Sequence, residues 1–198
     1  GVRQGEAALV DIAQHPATAR HVATRLVSHF VADAPPASAI EKIAAVFIQS
    51  EGSLPEIHAA LVDLDEVWQG EQRKLKTPEE LIISTARALN MNSRSNGSAQ
   101  IFNSMSRTLN VFNHYPFTAT SPAGWPDDAE HWGSPDALLK RIEWVNQIAG
   151  NIGNRVDPDS LAREILPENE ALQQALSRAE SRSQGLALLL ASPDFQWR

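Results

Sequence analysis

Apolar residues recur at steps of three and four along most of this chain, and no segment alternates apolar and polar residues over the length of a strand. Steps of that size place side chains on one face of an α-helix. The segment after His15 shows the pattern at Ala19, Val22, Ala23, Leu26, Val27 and Phe30. The chain therefore predicts an all-α fold, an irregular single domain over residues 1–198 with about eight to ten short helices packed as hairpins and one long central ordered loop.

Two segments have the spacing of a capping box, in which Ser or Thr is followed three residues later by Glu. They are Ser53 with Glu56 and Thr77 with Glu80. The second segment also has Pro78 at the first helical position, where a missing amide hydrogen costs nothing. We therefore expect the strongest helix start of the chain at Thr77.

Apolar stripes predict the buried faces of the helix after Ser53 and of a later helix. The residues after Ser53 indicate one continuous helix with the stripe Leu54, Ile57, Leu61, Leu64 and Trp68. A later helix begins at Ser134-Pro135 and carries Leu138, Ile142, Val145 and Ile148. The polar stretches 69–76 and 92–97 connect helices, and we expect 92–97 to be a turn-rich, mobile loop.

Residues 114–135 interrupt the helical pattern with a loop that contains two tryptophans, a tyrosine and a phenylalanine. Loops of this length in compact domains are usually functional or disordered. Burying aromatic side chains offsets the entropy lost when a loop becomes ordered, so the aromatic content argues against disorder. We expect an ordered loop, burial of Trp125 or Trp132, and a surface cleft beside them.

The composition narrows the classes of partner. A net charge of -7 and a pI near 5.3 argue against a nucleic-acid-binding surface. The absence of cysteine excludes disulfides and thiolate zinc sites. The apolar runs are too short for a transmembrane segment, and no signal peptide is expected in the sequence as given, so we expect a soluble protein.

The central loop carries the candidate ligand-binding residues. Trp125 and Trp132 are suited to stacking on a sugar or an apolar chain, or to anchoring the loop on the helical body. Asp127, Asp128 and His131 offer carboxylate and imidazole groups for general acid-base chemistry or for a cation, or they are solvated loop residues. Their spacing matches no calcium-binding loop.

A second candidate site lies at the predicted helix start. Lys74, Lys76 and Thr77 precede free amides that attract anions, so a phosphate or carboxylate could dock there. The alternative is that a lysine pairs with Glu80 or with a distant carboxylate.

A metal site is not expected. His21 and His29 lie on one predicted helix face, but Arg25 between them disfavours a cation, and eight residues separate the histidines by about 12 Å along the axis. We likewise expect no cofactor.

Several segments resemble the bacterial family called domain of unknown function 1800. The residues that carry the resemblance are His15–Arg20 with Phe30-Val31, Lys74–Glu80 with Arg87, Ser121–Pro126 with Trp132, Ser134-Pro135, Arg141, and Leu189–Gln196. The resemblance implies a bacterial source, export in many members, and a chain that is the C-terminal part of a longer protein. It implies no activity, and no functional residue is carried over from it.

Motifs of the common hydrolases and nucleotide-binding loops are missing from the sequence. We therefore expect a non-catalytic helical binding or assembly module of a larger bacterial, exported protein, with a protein or small molecule as its partner. The alternative is part of a hydrolase or carbohydrate-active enzyme with a site at residues 114–135. The location would be periplasmic or extracellular if the full-length protein carries a signal peptide.

Overall fold

The computed structural model describes residues 1–68, 74–91 and 98–198, with the side chains of 98–104 left outside that description. Over these residues the chain is 70% helical, with thirteen α-helices, ten of them seven residues or longer, and no strands. The prediction of an all-α fold is confirmed. The predicted loop at 92–97 lies outside the described residues, as does most of the predicted connector at 69–76.

The helices form two compact units, Gly1–Lys74 and Leu75–Arg198. Each unit has its own cluster of buried apolar side chains. This division into compact units does not test the prediction of a single domain over residues 1–198, which stays a prediction.

The described residues of the first unit form five helices: α1 Val2–Ala13, α2 Pro16–Phe30, α3 Ala37–Gln49, α4 Leu54–Val62 and α5 Asp65–Trp68. Helices α2 and α3 pack as a hairpin, as expected from the sequence. On α2 the buried positions are Ala19, Ala23 and Val27, on the predicted face. Because the first two are small, they allow α3 to approach closely with Ile43 and Phe47.

The capping box predicted at Ser53 is wrong. Ser53 precedes α4, but its side chain makes no capping hydrogen bond. An N-cap hydroxyl accepts from the amide of the second or third helical residue. In α4 the second residue is Pro55, which has no amide hydrogen, so half of the available donors are absent.

The continuous helix predicted from Leu54 to Trp68 is also wrong, because α4 ends at Val62 and a turn leads into α5. The turn places Leu64 in the core at 3% exposure, whereas Trp68 stays 71% exposed. The break in the helix thus buries Leu64, whereas a continuous helix was expected to bury Trp68 as well.

In the second unit, the part of the chain that the structure describes forms eight α-helices: α6 Pro78–Ala88, α7 Ser98–Val111, α8 Ala129–Trp132, α9 Pro135–Ile152, α10 Pro158–Ile165, α11 Glu170–Ser177, α12 Arg182–Ala191 and α13 Pro193–Gln196. Helix α12 packs against α9, α10, α11 and α13. Because four helices surround it, Leu186, Leu189 and Leu190 are fully buried. A side chain at Gly185 would meet Pro158 Cγ of α10 at 2.8 Å, so this close approach requires glycine.

The predicted face of α9 is only half right. Val145 is buried, but Leu138 and Ile142 are 43% and 48% exposed. The helix instead buries Arg141 and Trp144. An arginine is polar, so the apolar periodicity placed Arg141 outside the predicted buried face. The predicted face is therefore rotated from the one that the fold buries.

The two predicted capping boxes provide a matched pair of variants. In α6, Thr77 Oγ1 accepts from the Glu80 amide at 3.4 Å, and Glu80 Oε2 accepts from the Thr77 amide at 2.8 Å. We expect Thr77→Ala to lower the free energy of unfolding by about 1 kcal/mol, because two helix-end donors lose their arrangement. Ser53→Ala, which removes no capping bond, should lower it by less than about 0.5 kcal/mol. Urea denaturation followed by circular dichroism measures both, and equal losses would contradict the assignment.

Candidate functional site

The central loop begins where α7 ends in a Schellman motif. Asn113 has a φ of 56°, its amide donates to Asn110 O at 3.0 Å, and the His114 amide donates to Leu109 O at 2.8 Å. This pair of bonds reverses the chain direction and satisfies the last carbonyls of the helix. Asparagine tolerates the left-handed conformation better than most residues. The turn directs His114 into the interior, where it is 8% exposed.

His114 lies in a cluster with both loop tryptophans. Its ring centroid is 5.2 Å from Trp125 and 4.9 Å from Trp132, with edge-to-face angles of 63° and 78°. Trp132 is 3% exposed, and its indole nitrogen donates to Pro126 O at 2.8 Å. The predicted burial of at least one loop tryptophan is confirmed, and Trp132 anchors the loop.

A single turn of helix, α8, positions Trp132. Asp128 Oδ1 accepts from the His131 amide at 2.7 Å and so begins the turn. Gly133 ends it, with its amide donating to Ala129 O at 2.7 Å. A Cβ at Gly133 would lie 2.7 Å from that same oxygen, so the tight exit from α8 requires glycine.

A groove of about 500 Å³ runs beside this turn and the start of α9. Its lining residues come from the end of α7, the loop, α8 and α9: Phe112, Asn113, Pro126, Asp128, Glu130, His131, Trp132, Ser134, Asp136, Ala137 and Lys140. Asp136 Oδ2 pairs with Lys140 Nζ at 2.8 Å, one helical turn away. Asp128 and Glu130 add two carboxylates, which makes the groove acidic.

The environment of His114 disfavours a charged imidazole. Its Nδ1 atom is buried and makes no hydrogen bond within the part of the chain that the structure describes. Burial lowers the pKa of His114 from its ordinary value of 6.5, the Glu79 carboxylate raises it in part, and His131 lowers it again. The ring is therefore held neutral between the two indoles.

The loop candidates from the sequence separate into two groups. Asp128, His131 and Trp132 come together at the groove, whereas Trp125 packs on His114 and, like Asp127, does not line the groove. Their roles as ligand-binding residues stay predictions.

Sequence reasoning missed His114 and Lys140. The available signal for His114 was an asparagine directly after an apolar helical stripe, which favours a helix C-terminus of this type. Lys140 carried no signal, because its distance to the loop depends on how α9 packs.

Internal contacts occupy the three anion-binding candidates. Lys74 is 1% exposed and pairs with Asp33 within the first unit. In the second unit, Lys76 Nζ donates to Phe195 O and lies 4.2 Å from the centroid of the Phe195 ring. Thr77 caps α6. The anion site stays a prediction, and the alternative of a lysine paired with a distant carboxylate describes Lys74.

The segment at Lys76 also binds the C-terminal residues. The Lys76 amide donates to Gln196 O at 2.9 Å, and the Lys76 carbonyl accepts from Arg141 Nη2. Arg141 Nη1 donates to Gln196 Oε1 at 2.8 Å. Burial lowers the pKa of Arg141 to about 10 and that of Lys76 to about 8, with Glu80 opposing both shifts and Arg198 lowering that of Lys76 further.

Among the residues that the structure describes, no group of three or more histidine, aspartate or glutamate side chains is placed to hold a metal ion. None of the helices found there is both long enough and apolar enough to span a membrane.

Comparison with known proteins returns one family. The model described as "Protein of unknown function (DUF1800)" matches residues 1–197, in agreement with the resemblance seen in the sequence. Neither the curated proteins nor the solved structures contain a match.

The unequal burial of the two tryptophans predicts unequal effects on stability. We expect Trp132→Ala to lower the free energy of unfolding by about 3 to 5 kcal/mol and the melting temperature by several degrees, because it empties a packed site. Trp125→Ala should cost on the order of 1 kcal/mol, because that indole is only half-buried. Thermal denaturation of both variants measures the difference, and a larger loss for Trp125→Ala would contradict Trp132 as the anchor.

The lowered pKa of Lys76 predicts that stability rises with pH. The unfolded chain holds the Lys76 proton up to about pH 10.5 and the folded chain only to about pH 8, so raising the pH through this window favours folding. Lys76→Met should remove this part of the pH dependence, which urea titrations at pH 7 and pH 9.5 measure. The exposed Lys42→Met is the matched control, because it removes the same charge without removing a buried ammonium group. A slope retained in Lys76→Met would show that another group titrates.

Proposed function

This chain belongs to the DUF1800 family of proteins of unknown function, and we propose that its second unit, residues 75–198, is a non-catalytic binding module. Its ligand occupies the groove beside the central loop. The observation that carries the proposal is the groove itself, whose volume of about 500 Å³ falls within the range of small-molecule sites. One wall is a buried tryptophan held by a hydrogen bond, so the shape of the site exists before ligand binding.

The lining indicates a ligand with positive charge. Asp136 is balanced by Lys140, which leaves Asp128 and Glu130 as the acidic groups of the groove. Amine and guanidinium groups form charge-assisted hydrogen bonds with carboxylates. The apolar part of the lining, Phe112 with Pro126 and Ala137, suits the methylene segments of such a ligand. We therefore propose an alkylamine or a basic side chain of a protein partner.

The engagement of the acidic groups supports binding over catalysis. Asp128 accepts a backbone hydrogen bond as a helix cap, and Asp136 forms an ion pair. Both interactions fix the orientation of the carboxylates, which suits charge-assisted hydrogen bonds to a cationic ligand. General acid-base catalysis requires instead a carboxyl group that is free to exchange a proton with the substrate.

The hydrolase alternative rests on one observation, that Asp128 and His131 share the groove. A carboxylate and an imidazole are groups used in general acid-base catalysis. The hydrogen bond between these residues, however, joins the Asp128 carboxylate to the His131 backbone amide and leaves the imidazole out.

The wider setting follows from family membership and from the resemblance. We propose that the module belongs to a longer bacterial protein that is exported, and that its partner meets it outside the cytoplasm. The acidic composition supports a cationic partner over a nucleic acid, because the net charge of -7 repels phosphates.

Spermidine is a suitable first probe, with citrate and a neutral trisaccharide as comparison ligands. We expect spermidine to shift the amide resonances of residues 126–140, and the other two probes to leave them unchanged. Asp128→Asn retains a capping side chain and removes one charge. Asp128→Asn and Glu130→Gln should each weaken spermidine binding about tenfold. That is the affinity expected to be lost with one charge-assisted hydrogen bond.

Glu143→Gln is the matched control. It lies on α9, is exposed, and does not line the groove, yet it changes the net charge by the same amount. Equal weakening in Glu143→Gln would mean that spermidine responds to overall charge and would overturn the groove as the site. Hydrolysis of nitrophenyl esters or glycosides that is lost in Asp128→Asn would support the enzyme alternative instead.

A further inference from the structure

We propose that His114 makes the groove sensitive to acid: the neutral imidazole holds Trp125 and Trp132 together, and its protonation loosens the loop that forms the groove wall. The change in the loop depends on His114 alone. Its consequence, weaker ligand binding in acid, rests on the proposed function.

The position of His114 limits how it can accept a charge. The ring is 8% exposed and contacts two indoles at centroid distances of 5.2 and 4.9 Å. An imidazolium donates from both nitrogens, whereas neutral imidazole needs only one donor. Because Nδ1 is buried and has no acceptor among the described residues, protonation would place an unsatisfied charged donor in the interior.

Attraction between a cation and an indole ring opposes this effect in part. The balance is decided by burial, which is the largest influence on the pKa of His114 and lowers it below 6.5. The unfolded or loosened loop therefore takes up a proton at a higher pH than the packed loop. Acid below pH 6.5 favours the loosened state by this difference.

Charged groups on two helices act on His114. Glu79 at the start of α6 favours the imidazolium, and His131 on α8 opposes it. His131 also lies edge-on against Trp132, with centroids 4.5 Å apart. Trp132 is thus in edge-to-face contact with two histidines, His114 and His131.

Three connections link His114 to the groove. Asn113, its neighbour in the chain, lines the groove, as do Trp132, its ring contact, and His131, its charged neighbour. Movement of His114 toward solvent would break the aromatic contacts that keep Trp132 seated. The hydrogen bond from Trp132 to Pro126, another lining residue, would then be strained as well.

The test is an NMR titration of the wild-type chain from pH 7.5 to pH 4.5, which needs no ligand. It follows the His114 ring nitrogens together with the indole Nε1–H signals of Trp125 and Trp132. We expect all three groups to change with one midpoint below pH 6.5. Indole signals that stay constant while His114 titrates would overturn the proposal.

Charge-sign variants separate His114 from other titrating groups. Removing the His131 charge with His131→Gln should move the midpoint to higher pH, and removing the Glu79 charge with Glu79→Gln should move it to lower pH. His114→Phe keeps an aromatic ring and should abolish the indole transition, whereas a transition that survives in it would overturn the assignment. If His114→Phe fails to fold at pH 7.5, the opposite shifts of the other two variants decide.

Spermidine binding at pH 7.5 and at a pH below the midpoint tests the functional consequence separately. Weaker binding at the lower pH in the wild type, but not in His114→Phe, supports the coupling. If the indole transition is observed but spermidine does not bind, the pH response of the loop is supported and the proposed class of ligand is contradicted.

Discussion

The second unit depends on how the buried guanidinium of Arg141 is satisfied. A charged group at 2% exposure is stable only if its donors find acceptors, and here they find Gln196 Oε1 and the Lys76 carbonyl. These bonds set the rotation of α9 and join it to the segment before α6 and to the C-terminal residues. The rotation leaves Leu138 exposed and turns Lys140 toward the central loop.

The loop in turn relies on local rules of helix ends. The Schellman motif at Asn113 turns His114 inward, the cap at Asp128 begins α8, and Gly133 allows a tight exit. Each of these three features involves only a few neighbouring residues. Together they bring one histidine and two tryptophans into contact, and that contact is the element that orders the segment between α7 and α9.

The groove depends both on the packing of α9 and on the local structure of the loop. One wall belongs to α9, whose orientation follows from Arg141, and the other belongs to α8, whose position follows from Trp132. Asp128 caps α8 and Asp136 pairs with Lys140, while burial lowers the pKa of the histidine behind the tryptophan. A site with fixed negative charge and a titratable support combines cation binding with a response to acid, which is the basis of both proposals.

By itself, the sequence determined the features that follow from neighbours in the chain. Periodicity indicated the all-α fold and the buried face of α2, Thr77 with Glu80 identified the start of α6, and the aromatic content predicted an ordered loop. Tertiary structure decided the rest. An arginine can be buried only when acceptors from distant segments meet it, and the polar pattern of α9 could not show that Gln196 and Lys76 would do so. The role of His114 likewise depends on two tryptophans that only folding brings beside it, because burial and partner distance, which set the charge of an imidazole, are properties of the packed chain.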